Sequence, residues 1–175
     1  MKLTASVIRD YSAQEKHLHD EIHRTFQFRD CGKKHFYQEW KDACDAWHNF
    51  KSPLAKFWTD DFKHRVQNGN RTSIQELITL LEVDPDFFRS GYLKERLLRI
   101  IKNAPRNSSD NRRLLGVIWN RANGANRREF KDYCRLALKI KTPAFTEQVR
   151  IAAQKTPGNW NKFSFLLKYL DPQSK

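Results

Sequence analysis

Apolar residues recur at helical spacing from one end of this chain to the other, and no segment alternates convincingly at a period of two. The clearest stripe is Leu93, Leu97, Ile100, Ile101 and Ala104, with Glu95, Arg99 and Lys102 on the far side, which predicts a helix over 91–104. Carried backwards, the stripe leaves Phe87 and Phe88 out of phase, so a turn started by Pro85, with a break at Ser90–Gly91, is expected before it. This helix is taken as the centre of the fold.

Upstream of it, the first dozen residues carry no clear pattern. A helix is predicted over 12–28 from Leu18, Ile22 and Phe26, and Asp30–Cys31–Gly32 breaks it. A second, over 33–49, repeats Phe36, Trp40, Ala43 and Trp47 on one face. Ser52–Pro53 opens a third, whose Leu54, Phe57, Trp58, Phe62 and Val66 run to a stop at Asn68–Gly69. The second and third helices are expected to pair as an aromatic hairpin. Ser73 followed by Glu76 has the spacing of a capping box for a fourth helix, with Ile74, Leu77, Ile78 and Leu81, ending at Asp84–Pro85.

Downstream, helices are predicted over 110–122 (Leu114, Val117, Ile118 and Arg121 on one side), 126–140 (Phe130, Tyr133, Cys134, Ala137 and Leu138 buried) and from Pro143 to the Pro157–Gly158–Asn159 break. The last spans 160–170, with Phe163, Leu166, Leu167 and Leu170. Residues 96–103 and 113–120 share five identities in eight at an offset of 17, which suits one helix plus a loop but is shorter than the periods of most solenoids. The expectation is an all-α fold of about nine helices, packed as antiparallel hairpins in a bundle, with HEAT-like stacking in the C-terminal half as a variant. One domain over 1–175 is expected, made of an aromatic-rich half, 1–83, and a second half, 84–175.

Composition sharpens this picture. Charged residues make up 30% and mean hydropathy is −0.82, values that lean toward disorder, but 12 Phe, 5 Trp and 5 Tyr supply bulky core material. No apolar run reaches the roughly 18 residues of a membrane span, and residues 1–10 lack the apolar stretch of a signal peptide, so no membrane partner is expected. Three cysteines, Cys31, Cys44 and Cys134, form no disulfide framework and suit a reducing, cytoplasmic location.

Charge separates the halves. Residues 1–83 hold 13 Lys+Arg against 12 Asp+Glu, whereas 84–175 hold 20 against 8, so nearly all of the net +13 lies in the second half. On the 126–140 helix, Arg128, Lys131, Arg135 and Lys139 fall in a sector of about 80°. With Arg99 and Lys102 on the central helix and Arg112 and Arg113 at the next helix start, they predict a phosphate-backbone binding surface of low sequence specificity, for nucleic acid or another polyanion. Tyr92, Trp119 and Trp160 lie near enough in sequence to offer stacking faces. The competing reading is an interaction scaffold that docks an acidic protein on the basic face, anchored by Trp119 or Trp160.

Weaker patterns complete the reading. Arg89, Ser90, Gly91 and Lys94 place a hydroxyl, a glycine and two cations at a helix start, a candidate phosphate site without a Gly-rich loop. Cys31, His35, Cys44 and His48 form two i,i+4 pairs without a standard zinc spacing, and His19–His23 lacks the glutamate that a metalloprotease helix requires. No Gly-x-Ser-x-Gly turn marks a nucleophile. No cofactor is expected, and no residue set singles out an enzyme reaction.

Overall fold

The computed structural model describes residues 3–125, 127–155 and 161–171. These form nine α-helices and one 3-10 helix, with no strand among the described residues: α1 (Ala5–Phe26), α2 (Lys34–Asn49), the 3-10 helix (Pro53–Trp58), α3 (Asp60–Gln67), α4 (Arg71–Val83), α5 (Ser90–Asn103), α6 (Ser108–Asn123), α7 (Phe130–Ile140), α8 (Pro143–Lys155) and α9 (Lys162–Leu170). The fold is an all-helical bundle. Its buried apolar side chains form one cluster running from Leu3 to Leu170.

The central stripe is buried as expected: Leu93, Leu97, Ile100, Ile101 and Ala104 are all at most 6% exposed. α5 starts after Arg89, which takes the left-handed conformation (φ 64°), and Phe87 points into the core while Phe88 stays on the surface. α4 is equally central, with Ile74, Leu77, Ile78, Leu80 and Leu81 buried. Although a short loop joins α5 to α6, the two helices lie to either side of α4 and α7, each packing on both. The residues that repeat between 96–103 and 113–120 therefore face shared neighbours, and Leu97, Ile101, Leu114 and Ile118 are all fully buried.

Several boundaries differ from the pattern, each for a local reason. α1 begins at Ala5, because the Thr4 hydroxyl accepts from the Val7 N–H and Leu3 and Ile8 enter the core. The expected helix over 52–68 divides at Thr59, whose hydroxyl caps α3 while its own backbone is extended. α3 then ends in a Schellman turn, where Gly69 (φ 79°) donates to the Val66 carbonyl and Asn70 to that of Arg65. α4 is capped by Asn70, and Ser73 lies buried in its first turn, so the expected capping box does not form there. A capping box forms instead at α6, between Asn107 and Asp110.

Two packing expectations are corrected. α2 lies mainly on α1, and only its C-terminal end borders the segment that follows it; its inner residues are only half-buried, and none is buried. The aromatic hairpin thus joins α1 to α2, because the extended Phe50–Ser52 link carries the chain away into the core. On α7, Leu136 is buried and Leu138 is 45% exposed, since α7 is held between α5, α6 and α9 and its inward face is rotated accordingly. Asn126, the expected start of that helix, and Trp160 and the 157–159 break lie outside the described residues.

Candidate nucleic-acid interface

Ion pairs fix the register of α5 against α7. Arg128, in the turn just before α7, donates from Nε to Glu95 at 2.7 Å, and Arg99 reaches Asp132 on α7 at 3.4 Å, so residues four apart on α5 meet residues four apart at the start of α7 in the same direction. The two helices therefore run parallel. Arg99 also contacts Glu95 at 3.4 Å, and Arg135 donates to Asp132 at 2.9 Å, which closes an alternating chain Arg128–Glu95–Arg99–Asp132–Arg135. Extending the register by a turn brings Lys102 level with Arg135.

The layering within this chain matters more than its pairing. The Glu95 and Asp132 side chains are 13% and 8% exposed, whereas those of Arg99, Arg128 and Arg135 are 59%, 51% and 44% exposed. Carboxylates lie beneath and guanidiniums outside. Each arginine is anchored by a largely buried carboxylate yet stays about half exposed, so it keeps N–H groups toward solvent. Lys102, Lys131 and Lys139 add charge on the same helices, with no ion-pair partner among the described residues. Hydrogen bonds that Arg128 donates to Glu95 and Tyr92 raise its pKa further, and its guanidinium lies 3.8 Å over the Tyr92 ring, which is 52% exposed.

The remaining predicted cations lie elsewhere. Arg113 clamps α6 to α4: its guanidinium takes both oxygens of Glu82 (2.7 and 2.6 Å) and also bonds Gln75. Arg112 faces a groove between α6 and α8, bordered by Trp119, Phe145, Ile151 and Lys155, with a volume of about 970 Å³. Trp119 is half-buried with its ring 4.9 Å from that of Phe163. Arg112 thus borders an α6–α8 groove and Arg113 is engaged with α4, while Arg99, Arg128 and Arg135 share the α5–α7 ridge.

At the start of α5, the predicted phosphate residues do not converge. Lys94 is fully buried and donates to Asp84 at 2.6 Å, with Arg121 bound to the other oxygen of the same carboxylate. Burial lowers the Lys94 pKa and Asp84 pulls it back. Ser90 is also buried, and Arg89 lies over the Phe88 ring at 5.0 Å. The cleft outside Ser90 and Gly91 is lined by Asp86 and Glu129 as well as by Arg127 and Arg128, so two carboxylates oppose an anion there. A Cβ at Gly91 would meet Arg128 Cδ at an ordinary 3.5 Å, so the glycine is not required by crowding.

Among the described residues, no three His, Cys, Asp or Glu side chains converge as metal ligands. Cys31 is exposed in the turn before α2, His35 packs on Phe36 at 4.0 Å, Cys44 is half-buried on α2, and His48 lines an aromatic cavity. Cys134 is buried, which pushes its thiol up to about 12 and leaves it unreactive. No helix among the described residues is long and apolar enough to cross a membrane.

Sequence spacing identified the cations of the ridge but not Glu95 and Asp132 as their supports. The signal was present, since Asp132 lies three residues before Arg135 and Glu95 four before Arg99, but only the parallel packing of α5 on α7 links the two pairs. No protein-family model matches this chain, and neither a curated protein nor a solved structure shows significant similarity to it.

Proposed function

We propose that the protein binds nucleic acid through the α5–α7 ridge, contacting the phosphate backbone with little sequence specificity. The observation that carries this reading is the layering: three arginines, Arg99, Arg128 and Arg135, lie outside two largely buried carboxylates, and Lys102, Lys131 and Lys139 add unpaired charge on the same two helices. Arginines already anchored by a carboxylate lose less freedom on meeting a phosphate, and the unpaired lysines supply charge that no ion-pair partner among the described residues neutralises. Tyr92, capped on one face by Arg128, offers its other face to an unpaired base.

The layering also selects the test. Reversing Arg128 or Arg135 would set new carboxylates against Glu95 and Asp132 and disturb the α5–α7 contact, so loss of binding there would be ambiguous. Reversing Lys102, Lys131 and Lys139 to Glu leaves the supports intact. Anisotropy with nuclease-treated protein, single-stranded RNA, single-stranded DNA and duplex DNA, and heparin as control, should show binding that weakens with salt. The triple variant should lose affinity and flatten the duplex salt slope by about 2–3. Equal binding and slope in the variant would remove the ridge as the site.

The α6–α8 groove favours a second reading, a scaffold for an acidic amphipathic helix, because Arg112 and Lys155 flank an apolar floor on which Ile151 is 43% exposed. An acidic amphipathic peptide should then bind the wild type and lose binding in Ile151→Asp, with nucleic-acid affinity unchanged. Equal peptide binding by both proteins would dismiss this reading.

A further inference from the structure

A second site lies away from the basic ridge, where the C-terminal end of α2 and the Phe50–Ser52 link meet the 3-10 helix. A cavity of about 300 Å³ opens there, and its walls include Trp47, Trp58, Phe50, Phe87, His48 and Glu15. Its chemistry stands apart from the rest of the molecule. In a chain with 33 Lys and Arg against 20 Asp and Glu, the only formally charged lining side chain among the described residues, other than the imidazole of His48, is a carboxylate. Two neighbouring lysines are turned elsewhere, Lys56 to Glu76 at 2.7 Å and Lys16 to Asp86 at 3.8 Å.

The aromatic walls are held in place from behind. Trp47 has His19 at 5.5 Å and Phe88 edge-on at 6.1 Å between ring centroids, and His19 itself stacks on Phe88 at 4.2 Å. Phe50 rests 6.1 Å from Tyr11, and Phe87 is anchored in the core at 7% exposure. Trp58, by contrast, is 41% exposed and has no aromatic or cationic partner among the described residues. An indole left open beside a preformed aromatic wall is a large apolar face without an internal use.

We propose that this cavity is a binding site for an alkylated ammonium group, with the cation against the faces of Trp47 and Trp58 and its charge balanced by Glu15. Aromatic faces attract cations through the ring quadrupole, and a methylated ammonium is the cation least costly to desolvate, because it has no N–H bonds to water to give up. A bare ammonium would need hydrogen-bond acceptors that the rings do not supply. Desolvation raises the Glu15 pKa while a hydrogen bond from Ser52 lowers it, so the carboxylate is partly removed from water, which strengthens its attraction for a cation. The volume lies at the small end of ligand pockets and suits a trimethylammonium head rather than a larger cofactor. The group has two natural sources, a free choline-type molecule and the side chain of a trimethylated lysine.

The test uses the full chain labelled with ¹⁵N and reads the indole N–H resonances of Trp47 and Trp58. Four probes are titrated: choline, its neutral isostere 3,3-dimethyl-1-butanol, and a short lysine peptide in trimethylated and in unmethylated form. Choline or the methylated peptide should shift both indole signals saturably, with a Kd in the millimolar range or tighter, and whichever binds more tightly identifies the source. Trp58→Ala and Glu15→Gln should each weaken that binding by about tenfold. Neither variant removes a fully buried group, and an unchanged amide spectrum away from the cavity confirms that the fold persists. Absence of shifts with both cationic probes, equal shifts with the neutral isostere, or unaltered affinity in Glu15→Gln would each overturn the proposal.

Discussion

Asp84 is the residue on which most internal charge converges. It closes α4 in the left-handed conformation (φ 51°), and its carboxylate takes both Lys94, fully buried, and Arg121, whose side chain is 13% exposed. Asparagine tolerates that backbone conformation, so Asp84→Asn removes the charge with little conformational cost. Lys94 and Arg121 would then face each other without the carboxylate that bonds both, leaving only Glu129 near Lys94, and we expect a loss of about 3 kcal/mol in urea unfolding. Lys94→Met should cost less, because Arg121 still neutralises Asp84. If the two variants lose the same stability, Asp84 is not the shared counter-ion. Asp110 makes a different prediction. The Arg71 guanidinium (2.7 and 3.0 Å), with Gln75 and the Asn107 N–H, holds its carboxyl at about 2, below the ordinary 3.8. A depressed carboxylate contributes stability that is complete above pH 3.8 and lost as pH falls toward 2, here about 1–2 kcal/mol after screening through the half-exposed Arg71. Asp110→Asn should be less stable than the wild type at neutral pH, with the difference shrinking across that window.

At the scale of elements, α1 and α2 form an arm rather than a layer of the core. The first part of α1 is anchored by Ile8 against α4, but its last turns carry exposed Phe26, and α2 has α1 as its main support. Arg29 lies 4.0 Å over Phe26 and 5.3 Å from Trp40, which ties the tip locally and not to the bundle. Few buried contacts mean a low free energy of local opening. Native-state hydrogen exchange should therefore show α2 amides exchanging faster than those of α4, α5 and α7; protection of α2 equal to that of α5 would contradict this. The periodicity of α2 was legible, because Phe36, Trp40, Ala43 and Trp47 do face one way. Its partner was not, since an aromatic stripe does not say which apolar surface will cover it. The division of 52–68 at Thr59 was hidden for a similar reason: 3-10 and α-helical turns share nearly the same apolar spacing over a few residues.

For the molecule as a whole, the two proposed sites have opposite electrostatics, and they should respond oppositely to salt. Nucleic-acid affinity on the ridge falls steeply as counterion release loses its advantage, whereas binding of an ammonium group to a partly enclosed aromatic cavity is screened only weakly. Titrations of both ligands at low and moderate salt should separate them, with choline affinity changing several-fold less than that of duplex DNA; parallel losses would indicate a common exposed site. The sequence by itself determined that the chain is helical, where most helices lie and which half is basic, because these follow from local periodicity, capping and charge counts. It also placed Lys131, Arg135 and Lys139 together on one helix, although Arg128, expected on the same helical face, lies in the turn before α7 because that helix starts only at Phe130. Only the tertiary structure decided that α5 and α7 run parallel, that Glu95 and Asp132 underlie the arginines, that Arg113 and Lys94 face inward, and that Trp47 and Trp58 share a cavity with Glu15. Those outcomes depend on which face of each helix meets which neighbour. Many pairings bury comparable apolar area, and the choice among them rests on contacts between residues tens of positions apart.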